Sequence, residues 1–142
     1  MKVLAVAFIT SAVTFSAPSL WAEPSTAPAD AHAYFIAPMN GATVTSPVNV
    51  KFGLKGMGIA PAGVNAPHTG HHHLLVNADP APALDQPLQS NDQIRHFGKG
   101  QTETELELQP GTYTLQLVLG DHLHVPHQPP VQSGTIRITV TD

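Results

Sequence analysis

Gly70-His71-His72-His73-Leu74-Leu75-Val76-Asn77 sets three consecutive histidines at the start of an apolar run. A second group follows in Asp121-His122-Leu123-His124, with His127 beyond it. Alternate residues of an extended strand face the same way, about 6.6 Å apart. His71 and His73 can therefore aim at one ion while His72 turns to the other side. His122 and His124 form a second pair of this kind if their segment is extended. Neutral imidazole binds copper, zinc, nickel and iron, and nitrogen donors without thiolates favour Cu(II) or Zn(II). Ligand histidines must be deprotonated, so affinity is expected to fall as pH drops through about 6.5.

Plainer roles compete. A single histidine is usually just hydrogen-bonded, and three adjacent ones can cap a core. His-rich surfaces also take up metals adventitiously. Nine histidines in 142 residues are harder to dismiss. His32 and His68 lie in looser sequence and read as bystanders. Asp121 can ligate a metal or orient a histidine, but a turn is its commoner place. Met39 and Met57 could serve Cu(I), although each is more often a packing residue.

The elements that must position these groups are short β-like runs between Gly, Pro and Asn clusters, with no convincing amphipathic helix. The runs are 33–37, 48–54, 71–77, 102–109, 112–120 and 135–141, and a weak seventh strand is expected between Ala83 and Asn91. Period-two alternation marks half-buried strands. Glu103, Glu105 and Glu107 share one face and Leu106 and Leu108 the other, while Ile136, Ile138 and Val140 share a face. This pattern predicts an all-β fold, a single immunoglobulin-like antiparallel β-sandwich of about seven strands. In LQPGTYTL, Tyr113 stands where a tyrosine corner would bond its phenol back across the bend. Strand parity then brings the histidines to one end. Pairing of 71–77 with 112–120 places His71–His73 beside Asp121–His124.

The chain begins with Met1-Lys2, an apolar stretch over 3–17 and Leu20-Trp21-Ala22. That order predicts a signal peptide over 1–22, a flexible leader over 23–31 and the sandwich domain over 32–142. Cleavage near Ala22 implies a periplasmic or secreted protein with no stable membrane insertion afterwards. A mature start at His32 is the alternative, and it would expose a first-residue histidine. The net charge is −4, with 6 basic and 10 acidic residues, which speaks against nucleic acid as a partner. The absence of cysteine excludes disulfides and thiolate metal sites. No nucleophile–base pair or acid pair stands out, so an enzyme is not expected. In HFGKGQTETEL, Gly98 to Thr102 read as a structural loop, and Lys99 could meet an anion.

Four segments carry a resemblance: GHHHLLVN, HFGKGQTETEL, PGTYTLQLVLGDHLHVPHQPPV and PMNGATVTSPVNVKFGLKGMGIAPAG. Together they resemble the exported, mostly bacterial family known as domain of unknown function 4399, over nearly all the mature chain. The resemblance implies no activity. Its pattern includes counterparts of His71–His73, His96, His124 and His127, treats His122 as variable, and often has histidine in place of Tyr113. The metal-site residues it implies are His71, His73, His96, His124 and His127. GTYTLQLVLGDH also resembles, more weakly, the CopC-like periplasmic copper carriers, whose mature chains begin with histidine. The expected function is an exported carrier, buffer or sensor of Cu(II) or Zn(II). The other function open at this point is a non-enzymatic periplasmic module whose histidine end recognises a peptide, an envelope polymer or a partner protein.

Overall fold

The structure is a computed structural model that describes residues 24–142. The expected signal peptide, 1–22, lies outside the described residues. The strands are β1 (His32–Ala37), β2 (Thr43–Thr45), β3 (Val48–Lys55), β4 (Gly58–Ile59), β5 (Thr69–Val76), β6 (Ile94–His96), β7 (Glu103–Leu106), β8 (Gly111–Gly120) and β9 (Ile136–Thr141). The described residues form no helix long and apolar enough to cross a membrane.

The strands make two sheets. One has the order β1-β3-β7; the other has the order β2-β9-β8-β5-β4, with β6 also paired to β5. Alternation explains the core between them. Val48, Val50 and Phe52 of β3 join Leu74 and Val76 of β5, Leu115 and Leu117 of β8, and Ile138 and Val140 of β9 in one buried cluster. Burying each such large side chain stabilises by about 1.5–3 kcal/mol. Glu103 and Glu105 face solvent while Leu106 turns inward, as the sequence pattern requires. The Tyr113 hydroxyl donates to the Gln109 carbonyl at 2.8 Å, closing the corner before β8.

Strand β5 is buried on both faces, which sets up the site. His72, Leu74 and Val76 face the core between the sheets, where the His72 ring lies 5.1 Å from that of Phe52. Leu75 faces outward, but Leu88, Ile94 and Val118 cover it in a second cluster. His71 and His73 share that outward face and are covered too.

Three sequence expectations are corrected. No strand forms over 83–91; the segment is a loop, and β6 follows it. Pro87 withholds a backbone donor from any ladder there, and Leu88 works as a single apolar plug rather than as part of an alternating face. The strand count is nine rather than about seven, because β2 and β4 add short parallel pairings to β9 and β5. The leader is not loose throughout. Gln128 N donates to Ser25 O at 2.9 Å, Ala27 N donates to Gln128 O at 3.0 Å, and Ser25 Oγ donates to Asp121 Oδ2 at 2.8 Å.

Candidate metal centre

Each ring of the site has a separate structural cause. His71 and His73 lie two apart on β5, opposite Gly120 and Val118 of β8. His96 is the cross-strand partner of His73 through β6. Strand β6 is started by Asn91, whose Oδ1 accepts from Gln93 N at 2.8 Å and Ile94 N at 2.9 Å, and it is pinned by buried Ile94. His124 comes from the turn after β8. Three rings thus stand on a sheet face and the fourth closes over them from a loop.

The four rings all meet one another. His71 lies 4.8 Å from His73, 4.9 Å from His96 and 5.0 Å from His124, centroid to centroid. His73 lies 5.2 Å from His96 and 5.8 Å from His124, and His96 lies 4.7 Å from His124. The six separations run from 4.7 to 5.8 Å, so the four rings cluster around one small volume. One nitrogen each from His71, His73 and His96 lies within 4.8 Å of the others. The Nε2 atoms of His96 and His124 are 3.1 Å apart. Four nitrogens around a zinc ion at the usual bond length would be about 3.4 Å apart.

The electrostatics are those of neutral donors. Both ring nitrogens of His71 and of His73 are buried without a hydrogen-bond partner, an arrangement that costs about 1–3 kcal/mol for each unmet group. Burial, reinforced by the neighbouring rings, lowers the His71 pKa to about 4 and the His73 pKa to about 3. Burial and the nearby His124 lower that of His96 as well. For these three rings, proton competition therefore sets in below the ordinary value of 6.5, later than the sequence alone suggests. His96 and His124 line a cleft of about 190 Å³ walled by Pro87, Leu88, Gln89 and Ser90, which gives the cluster a way out to solvent.

Asp121 is the organiser of the loop. Its Oδ1 accepts from Leu123 N at 2.9 Å and Val125 N at 3.0 Å, and its backbone carbonyl accepts from His124 N at 2.9 Å. With Oδ2 held by Ser25, this carboxylate is spent on the turn. Asp121→Ala should destabilise the protein by about 2–4 kcal/mol, because charge-assisted bonds are lost and buried donors are left unmet. Urea unfolding measures this; a loss under 1 kcal/mol would deny Asp121 that role. Gly120 supplies room. A β-carbon there would stand 2.7 Å from His73 Cε1 and 3.2 Å from the His124 Cα. Gly120→Ala should therefore push His73 and His124 apart and cost about 1–3 kcal/mol, with weakened metal uptake seen in a chelator competition.

The remaining candidates are placed differently. His127 is buried, with Nε2 3.1 Å from Thr69 O and Nδ1 3.4 Å from Leu119 O. In the neutral ring a single N–H donates to one of these two carbonyls, anchoring the ring either to Thr69 of β5 or to Leu119 of β8. His32 is exposed, with Nδ1 3.0 Å from Asp30 O, and His68 is exposed in a left-handed turn. His122 is half-buried, and its carbonyl accepts from Gly63 N. Gln101 Oε1 accepts from Lys99 N at 2.9 Å, so that loop is internally tied as expected. Sequence reasoning missed Ser25, Gly120 and Leu88. Strand β6 itself was not expected from the sequence.

The model of the family described as Domain of unknown function (DUF4399) matches residues 50–141, a span holding all four clustered histidines and His127. None of the curated proteins and none of the solved structures compared with the chain matches it. The family match takes in well over half of the sequence, and the chain belongs to that family.

Proposed function

We propose that this member of the domain of unknown function 4399 family binds one Zn(II) or Cu(II) ion through His71, His73, His96 and His124, as an exported carrier, buffer or sensor. The observation that carries the reading is four mutually contacting imidazoles, two of them fully buried with every ring nitrogen unpartnered. An ion would satisfy one nitrogen on each ring and offset the cost of burying it. Four nitrogen donors without a thiolate suit Zn(II) and Cu(II) alike. His127 is left out of this ligand set.

The setting fits the chemistry. The predicted signal peptide would send the chain to the periplasm or beyond, and nitrogen donors tolerate an oxidising compartment that would consume thiolates. The pairing of β1-β3-β7 in one sheet and β5-β8-β9 in the other supports an immunoglobulin-like sandwich as the scaffold. A surface for a peptide or partner protein would need exposed imidazoles, whereas His71 and His73 are 0% exposed. Four protein ligands leave no vacant position for a substrate, which favours carriage over catalysis.

The test is calorimetric titration of Zn(II), then Cu(II), into chelator-treated mature protein. One equivalent should bind, with Zn(II) in a four-nitrogen site. The His71→Ala/His73→Ala/His124→Ala variant should lose that binding. Full affinity in the variant would show that the ion sits elsewhere.

A further inference from the structure

Resting on the metal-binding reading, we infer that the four histidines are not equivalent. His71, His73 and His96 form the holding triad, and His124 is an exchangeable fourth ligand that an incoming imidazole-type nitrogen donor displaces through the Pro87–Ser90 cleft. The proposed site would then hand its ion over by ligand exchange at one defined position.

Three observations separate His124 from the others, and access to the cleft adds to them. The three triad rings stand on hydrogen-bonded strands, and one nitrogen from each falls within a common 4.8 Å. His124 stands on a turn, and its ring is the farthest from a triad member, 5.8 Å from His73. Its backbone has φ 69°, a left-handed conformation that costs a residue with a β-carbon about 1–2 kcal/mol. Its ring lines the cleft together with that of His96, while His71 and His73 are sealed beneath, so of the two rings open to the cleft only His124 stands on a turn.

The freedom of the ring follows from how the turn is held. The loop is fixed by Asp121, by Leu88 N donating to His124 O at 3.0 Å, and by the leader contact at Ser25. None of these bonds uses the His124 ring. The ring can therefore leave the ion without breaking a sheet ladder or the bonds that shape the turn. The cleft walls are Pro87, Leu88, Gln89 and Ser90, with no charged side chain among them. A neutral donor of the size of the departing imidazole fits that lining better than a charged one.

The probe is Co(II), whose visible absorption reports four-coordination, loaded into the mature full-length domain. His124→Gly suits the left-handed backbone and keeps the Leu88 bond to the carbonyl; His124→Asn, which also tolerates that conformation, is the second variant. Thermal melts of the metal-free variants check folding. Both should still take up one Co(II), and should release it to EDTA on the order of tenfold faster or more than the wild type. Added imidazole should slow the release and restore the four-coordinate spectrum in His124→Gly. His71→Ala should retain no Co(II), with or without imidazole. The inference is overturned if both His124 variants lose Co(II) as His71→Ala does, or if their release is unchanged and imidazole has no effect. A wild-type protein that takes up no Co(II) would instead remove the metal reading beneath it.

Discussion

Replacing His73 by leucine should abolish metal binding and at the same time make the metal-free protein more stable, by about 1–3 kcal/mol. The two effects share one cause. Both nitrogens of His73 are buried without a well-formed hydrogen bond, and the His71 backbone offsets little of the desolvation that the metal-free fold bears. Leucine fills similar space and needs no hydrogen bond. His72→Leu is the internal control. His72 has the same unmet nitrogens but faces Phe52 in the core, away from the cluster. That variant should gain comparable stability and keep the metal. Urea unfolding with and without Zn(II) reads both quantities. If His73→Leu is destabilised in the metal-free state, the ring is a satisfied structural residue and the metal site loses its main support.

Chelated protein should also unfold as pH falls from about 6.5 toward 4. Burial lowers the pKa of His71 and His72 to about 4 and that of His73 to about 3, from an ordinary 6.5 in the unfolded chain. Above pH 6.5 both states carry neutral rings and there is no penalty. Between 6.5 and the folded values the unfolded chain binds more protons, so stability drops with pH. Each ring contributes up to about 1.4 kcal/mol per pH unit. Three together would consume a typical domain stability of about 5–15 kcal/mol within a few units. Melting curves at pH 7.5, 6.5, 5.5 and 4.5 should fall by up to roughly 15 °C per unit below 6.5. A melting temperature unchanged down to pH 4.5 would mean that these rings are solvated or paired.

The local rules of β-structure made part of this site legible. The H-x-H spacing alone separates His71 and His73 from His72, because side chains alternate on a strand. Pairing the two most apolar runs placed His71 opposite Gly120, hence beside the His124 turn. His96 was harder. Its strand is three residues long, too short to show alternation, and the prolines before it suggested an edge strand several residues early. What identifies β6 is the Asn91 cap and the burial of Ile94 against Leu75, Leu88 and Val118, which is tertiary packing. His127 is placed differently from the four clustered rings. The family pattern recommends it as a ligand, and here its ring lies between two backbone carbonyls, at 3.4 Å and 3.1 Å, one of which its single N–H can serve. Gly120 was invisible for a similar reason: its value lies in the side chain it lacks, which His73 uses.

The most direct measurement is native mass spectrometry of untagged protein purified from the cells and medium that produce it, giving bound metal and intact mass in one spectrum. One zinc or copper per chain should be present, should survive a competing chelator, and should vanish in the His71→Ala/His73→Ala variant. The same mass should place the mature start at Glu23. Protein that carries no metal and stays empty when Zn(II) or Cu(II) is offered would contradict the metal centre and leave the four imidazoles as a cap on the sheet.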